Sequence, residues 1–390
     1  MKLTQDNAVC SFKHAQRLLS SPRMMPPTLK PYLERLQQQA GVDLSRLIQL
    51  SDNILTFMSG TRHQTIKKAL NPVFNEASLS RYQVVFLQIA KHHFASLIRS
   101  KSSVDLVKDV ETPLFIRQTE QVFGFTPADH EAFIAQINNI VRVAEPLQSL
   151  RTLLNVQHDF SQLVDAIADQ LAALAPLLAD QTTPGLIYTI SHALQDAFTE
   201  SPSLNTDELT QLTATVVALL IVASRTTTET FINIIMNNAK ANPSNLESTC
   251  GDSDWVAANI NELIRFSSST AYLTRRAESA MTIDDLTVDT DETLFFHIPS
   301  INRDADWFER CEYADIFDPN QPHTKRQKRH LSFGSGIHRC PGEQLAILAL
   351  CQFIPAFYQQ FSAVSLDHSS VQFQPTQMTT RLTSAVVTLL

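Results

Sequence analysis

Apolar residues recur at three- and four-residue spacing over Ser80–Arg99, Ala128–Glu145, Gln157–Leu178 and Leu186–Phe198, which predicts amphipathic helices. A longer run begins after Asn205-Thr206, a polar pair suited to cap a helix. Asp207 and Glu208 follow in the first turn, where the helix dipole favours acids. The run continues to Ala241-Asn242-Pro243, where proline ends it. With a rise of about 1.5 Å per residue this helix would span roughly 50 Å. Its almost wholly apolar first half predicts that it is buried. After Ser267 the pattern changes: Ala271–Leu273, Leu286–Val288, Thr293–His297 and Ala385–Leu389 are short, β-branched or aromatic, with turn residues between them, and read as strands. The expected fold class is mainly α with a minor β portion from the C-terminal half. No linker and no internal repeat divides the sequence, so residues 1–390 are expected to form a single domain.

The chain is 44% hydrophobic and 18% charged, with a net charge of −8. It has ample apolar material for a core, and its acidic balance argues against a general nucleic-acid binder. Five scattered cysteines without a CxxC pair fit a reducing compartment and offer neither a disulfide framework nor a zinc site. The N-terminal residues lack the apolar core of a signal peptide, and the longest apolar stretch, Val216–Ala223, is far short of a membrane span. A cytoplasmic location is the expectation. One local departure from the acidic balance stands out: Lys325, Arg326, Lys328, Arg329 and Arg339 crowd together. Such a run is either a solvated loop or a docking patch.

Only 8 glycines occur in the chain, yet Gly334, Gly336 and Gly342 fall close together around Cys340. The segment reads His330-Leu-Ser-Phe-Gly-Ser-Gly-Ile-His-Arg-Cys340-Pro-Gly-Glu-Gln-Leu-Ala and runs into an apolar helical stretch, Gln344–Phe353. Clustered glycines mark a backbone that turns tightly or approaches another group closely. A cysteine just before a helix has its thiolate favoured by the helix dipole and by unpaired amides. Taken alone, Cys340 reads as a small core residue. The combined pattern Phe333-x-x-Gly336-x-x-x-Cys340-x-Gly342 argues against that reading.

This loop strongly resembles the haem-binding loop of the cytochrome P450 family, and the resemblance extends over roughly residues 50 to 390. It implies the mainly α P450 fold with a small β portion, and haem b with the Cys340 thiolate as iron ligand. Phe333, Gly334, Gly336, His338 and Gly342 would complete the loop around the haem. Glu262-Leu-Ile-Arg265 lies on a predicted helix, Asp254–Phe266, where the i, i+3 spacing lets the carboxylate and guanidinium pair. It matches the family's structural ion pair. Asn302-Arg303-Asp304 resembles the family's turn of that composition. Arg275, His63 and Lys67 fall where the family places groups that bind the haem propionates. Lysine at 67 stands for the usual arginine and turns a bidentate contact into a point charge. By the same resemblance, electrons would come from NAD(P)H through a ferredoxin-type donor. That donor would dock near Lys325, Arg326, Lys328 and Arg329.

The sequence departs from the family on the long helix. Leu219-Leu-Ile-Val-Ala223-Ser224-Arg225-Thr226 aligns with Thr226 as the alcohol above the iron, Ala223 in place of a glycine, and Arg225 in place of the usual acid. An arginine cannot relay a proton as a carboxylate does. Either Arg225 pairs with Glu229 one turn on and points away from the pocket, or it faces the pocket and anchors an anionic substrate. The second departure is Gln321, where an arginine commonly completes the network with Glu262 and Arg265; Arg326 is an alternative through a longer loop.

The expected function is a haem-thiolate monooxygenase acting on a small, apolar or aromatic molecule, in secondary metabolism. An oxidative phenol-coupling or peroxide-driven enzyme with an anionic substrate on Arg225 is the alternative, and a non-catalytic haem sensor the most distant one.

Overall fold

In the computed structural model the described residues are 8–98, 103–145, 148–174, 185–199, 204–241, 246–317, 330–361, 363–374 and 378–389. They gather into two compact units. One comprises the N-terminal segment to Met25, Arg81–Phe115 and Arg225–Leu390; the other comprises Pro26–Ser80 and Ile116–Ser224.

The second unit is helical. Its helices include Lys30–Ala40, Gly60–Val73, His130–Ile140, Leu150–Leu174 and Leu186–Thr199. The amphipathic patterns at Ala128–Glu145 and Leu186–Phe198 are met closely, the first as an α-helix extended by a 3-10 turn, Val141–Ala144. The helix expected from Gln157 begins earlier, at Leu150, because Leu153 and Val156 extend its buried face toward the N-terminus.

The first unit holds all the described strands. Ala8–Val9, Thr293–His297, Tyr272–Ala277 and Met24–Met25 form one sheet in that spatial order. The strand expected at Ala271–Leu273 thus starts at Tyr272 and extends to Ala277. Phe296, Leu294, Phe12, Leu18 and Phe308 lie in the core over this sheet. Ser103–Asp105, Val386–Leu389 and Val364–Leu366 make a second, antiparallel sheet. The helices Tyr82–Ile98, Ser253–Ser267 and Glu343–Gln360 complete the unit. Phe94, Phe231, Phe353 and Phe357 pack edge-on or tilted among them, at centroid separations of 5.4–6.0 Å.

The long helix runs from Thr206 to Ala241, as its pattern predicts. Asn205 accepts from the Glu208 amide, and the Glu208 carboxylate accepts from the Asn205 amide, each at 2.9 Å. This reciprocal capping box satisfies two amides that the helix start leaves without partners. The helix has the length and apolar content of a membrane span, but most of its apolar window is buried within the protein, as in a core helix.

Candidate active site

Cys340 is exposed and stands two residues before Gly342, which caps the helix Glu343–Gln360. The glycines ahead of it do the turning. Gly334 and Gly336 have φ of 71° and 69°, a left-handed conformation that costs other L-residues about 1 kcal/mol or more. The Gly334 amide donates to the Leu331 carbonyl and the Cys340 amide to the Phe333 carbonyl, both at 2.9 Å. The loop is thereby folded back so that Cys340 leads directly into the helix.

Two braces hold this loop, and both pass through the turn at Asn302–Asp304. In the first, Arg265 is fully buried and pairs with both carboxylate oxygens of Glu262, at 3.0 and 2.7 Å. The same guanidinium donates to the carbonyls of Asn302 and Arg310. Asn302 passes the connection on: its Oδ1 accepts from the Leu331 amide at 2.9 Å and its Nδ2 donates to Ser332 Oγ at 3.0 Å. The Glu262–Arg265 pair thus fixes the entry to the cysteine loop through backbone groups. In the second, Asp304 accepts from the Phe12 amide at 2.7 Å and anchors the helix Phe12–Leu19. Phe12 stacks on Trp307, with ring centroids 4.7 Å apart. The far end of that helix meets the loop, where Ser20 and Ser335 hydroxyls lie 2.8 Å apart. A Cβ on Gly336 would fall 2.8 Å from the Leu19 carbonyl oxygen. Sequence reasoning missed Leu19 and Ser20. Their only signal in the sequence is the turn-rich stretch from Ser20 to Pro27.

Arg275 lies on the Tyr272–Ala277 strand, whose Leu273 would touch a Cβ placed on Gly334. It is 4% exposed. Its Nη1 donates to the Thr274 carbonyl, and its buried Nε has no hydrogen-bond partner. No carboxylate pairs with it among the described residues, and burial pushes its pKa down to about 10. A desolvated cation without a counter-ion is costly unless a ligand supplies the anion. An exposed thiol at a helix start, with an uncompensated buried arginine on the strand against its loop, fits a haem: the sulfur would take the iron and Arg275 a propionate. His338 is half-buried in the same loop, two residues before the cysteine. In the other unit, His63 is buried and Lys67 half-buried, on one face of the Gly60–Val73 helix four residues apart. Lys325, Arg326, Lys328, Arg329 and Gln321 lie outside the described residues. Arg339 forms an exposed ion pair with Glu343.

The structure corrects the expected pairing of Arg225. Its partner is Glu111, not Glu229. Nε and Nη2 of Arg225 donate to the two Glu111 oxygens at 2.9 and 3.1 Å, and both residues are buried. Thr228 and Thr112 hydroxyls also donate to the same carboxylate, at 3.0 and 3.1 Å. Glu111 ends a wide π-helical segment, Leu106–Glu111, started by Asp105, whose side chain accepts from the Val107 and Lys108 amides. Glu229 pairs instead with Arg381 at 2.8 Å. Burial holds the Glu229 carboxyl above its usual range, against the pull of Arg381 and Arg225. Glu111 was not among the expected site residues. Its signal was an acid set in the apolar run Val110 to Ile116, where a carboxylate needs a partner. Thr226 is half-buried and shares a helix face with the exposed Ala223 three residues before it. Its carbonyl accepts from the Ser269 hydroxyl at 3.3 Å.

A thiol positioned at a helix start beneath a double-glycine turn, on a mostly helical fold with a small β portion, is an arrangement that could serve a haem-thiolate protein. The family model for cytochrome P450 matches residues 254–387, which includes the Glu262–Arg265 pair and the cysteine loop. "Cytochrome P450-SOY" of Streptomyces griseus is 25% identical over 340 residues, covering 87% of this chain and 75% of that protein. "Beta-dihydromenaquinone-9 omega-hydroxylase" of Mycobacterium bovis is 26% identical over 290 residues, covering 73% of this chain and 54% of that protein. Among solved structures, P450BioI in complex with a hexadec-9Z-enoic acid ligated acyl carrier protein matches with a TM-score of 0.80 at 18% identity, covering 98% of this chain and 92% of that one. Epothilone B-bound cytochrome P450epoK matches with a TM-score of 0.76 at 18% identity, covering 98% and 90%. By this partial family match, these relatives and this fold, the chain is similar to cytochromes P450, whose members are monooxygenases.

Proposed function

We propose that this P450 oxidises a small, neutral, apolar or aromatic molecule. The observation that carries the reading is the Glu111–Arg225 pair: a guanidinium bound bidentate by a buried carboxylate is a poor anchor for a second anion. On the same stretch of helix the accessible side chains are Ala223, Ser224 and Thr226, a methyl and two hydroxyls, with no charge among them. Haem bound to Cys340 would supply the oxidising chemistry, and the thiolate would tune it by donating electron density. Arg275, His338, His63 and Lys67 would compensate its propionates. Thr226 would offer a hydroxyl to hydrogen-bond what binds above the haem. In this role the chain works as one P450 domain, in the cytoplasm, with electrons delivered from NAD(P)H by a ferredoxin-type donor. The basic residues Lys325, Arg326, Lys328 and Arg329 would steer that acidic partner. The likeness to the epothilone B-bound P450 supports a place in secondary metabolism.

The test is a spectral titration of the ferric holoprotein with phenols and carboxylates against their neutral isosteres, read as the haem spin-state change. Neutral aromatic ligands are expected to bind at least as tightly as the anions, and turnover is expected to require an electron donor. Selective anion binding, or turnover with peroxide alone, would instead establish the peroxide-driven or coupling chemistry for which Arg225 was the sequence signal.

A further inference from the structure

Away from the cysteine loop, a cleft of about 220 Å³ opens in the first unit. The last turns of the long helix form one wall, and the end of the Glu262 helix, the turn at Pro299–Arg303 and the C-terminal hairpin form the others. It is smaller than the roughly 300–1,000 Å³ of sites for drug-sized ligands, so its ligand is a compact one. Two features separate it from an ordinary surface groove.

The first is its charge. Lys240, Arg303 and the already paired Arg265 line it, and no aspartate or glutamate does, on a chain whose net charge is −8. Lys240 makes no ion pair among the described residues, and its place in the last turn of the helix is favoured by the dipole. Arg303 is held in place without a carboxylate: Nη1 donates to the Pro299 carbonyl at 3.1 Å and Nη2 to the Phe266 carbonyl at 2.7 Å. Its guanidinium also lies 5.2 Å from the centre of the Phe266 ring. Burial and the neighbouring Arg265 both lower its pKa, so a bound anion would relieve a cost already present. A fixed guanidinium with N–H groups to spare is the usual recognition element for a carboxylate.

The second is a buried acceptor. Asn233 Nδ2 donates to the Ser267 carbonyl at 3.3 Å, which orients the amide, and its Oδ1 is buried without a partner. Asn233 is 4% exposed and lines the cleft. A buried carbonyl oxygen left without a donor keeps its desolvation cost, a loss that a hydroxyl or N–H on a ligand would recover. Met236, Phe266, Pro299 and Phe373 supply apolar walls, Phe373 being exposed at the rim.

We propose that this cleft binds a small organic carboxylate that also carries a hydroxyl or N–H donor on a compact apolar body. The carboxylate sits between Lys240 and Arg303, the donor reaches Asn233 Oδ1, and the apolar body rests on Phe266 and Pro299. Such a ligand would lie against Ser267, two residues from the Ser269 hydroxyl that donates to the Thr226 carbonyl. The cleft is thus a second, separate site, and its ligand is not the molecule oxidised.

Titration calorimetry of the ferric holoprotein with mandelate, run with and without saturating imidazole on the haem, tests this. Mandelamide is the neutral control and Lys240→Gln the variant, chosen because Lys240 is exposed and makes no ion pair or side-chain hydrogen bond among the described residues. Saturable mandelate binding is expected, unchanged by imidazole, weakened about tenfold in Lys240→Gln and absent for mandelamide. Absence of mandelate binding, equal affinity in Lys240→Gln, or displacement by imidazole would each overturn the proposal. None of these outcomes depends on what the haem site oxidises.

Discussion

Glu111 holds Arg225 across 114 positions of sequence, through two hydrogen bonds of 2.9 and 3.1 Å in a site that water does not reach. This one contact decides how the unusual residue beside Thr226 is read. The family's acid at that position is replaced by a cation, and the cation is neutralised from another segment of the chain. The substitution is thus a structural exchange within the core.

Removing one partner of this pair leaves the other buried and uncompensated. Glu111→Ala is expected to destabilise the holoprotein by about 3–5 kcal/mol. Replacing both partners, as Glu111→Leu with Arg225→Met, should restore most of that loss, because the double change removes the desolvated charges together. Chemical denaturation of the two variants beside the parent measures it. A double variant no more stable than Glu111→Ala would show that the pair does more than balance charge.

The two left-handed glycines of the cysteine loop differ in their surroundings. At Gly334 a Cβ would make only ordinary van der Waals contact, the nearest atom being Leu273 Cδ1 at 3.7 Å, so Gly334→Ala bears the backbone strain alone. At Gly336 a Cβ would also meet the Leu19 carbonyl oxygen and Ser20 Cα, each at 2.8 Å. Gly336→Ala is therefore expected to lose haem, with a haem-to-protein ratio well below that of Gly334→Ala. Equal haem retention in the two would mean that the Phe12–Leu19 helix does not brace the loop.

His330 is buried at the entry to the loop, and burial, helped by Arg265 and Arg339, pushes its pKa down to about 3. Its ordinary value is near 6.5. The unfolded chain therefore takes up a proton as pH falls below about 6.5, while the folded chain stays neutral there until about 3. The stability this histidine contributes is fully present above 6.5 and declines as pH falls through that window, at up to about 1.4 kcal/mol per pH unit. His330→Gln, which cannot charge, should show a shallower fall of unfolding free energy between pH 6.5 and 5, above the range where most carboxylates titrate. Parallel slopes for parent and variant would place His330 in contact with water.

The elements that were legible in the sequence are those whose cause is local. The long helix announced itself through its apolar pattern, its Asn205 cap and the proline after Ala241. The Leu286–Val288 and Thr293–His297 strands were read at their observed bounds. Cys340 was legible because glycine is rare in this chain and clusters around it. What could not be read is set by distant contacts. Local spacing offered Glu229 to Arg225, and tertiary packing gave it Glu111 while Glu229 went to Arg381. Asn302 and Asp304 were noticed as a turn, but their work as two braces depends on Leu331 and Phe12 lying against them.

The claim on which the account rests is that the Cys340 thiolate ligates haem iron. The most direct measurement is the absorption spectrum of the reduced, carbon monoxide-treated holoprotein, compared with Cys340→Ser and with Cys351→Ser as a control. The parent and Cys351→Ser are expected to show the Soret band shifted to long wavelength by a thiolate ligand, and Cys340→Ser to lose it while keeping its helical circular dichroism. A thiolate-type band that survives in Cys340→Ser would contradict the assignment.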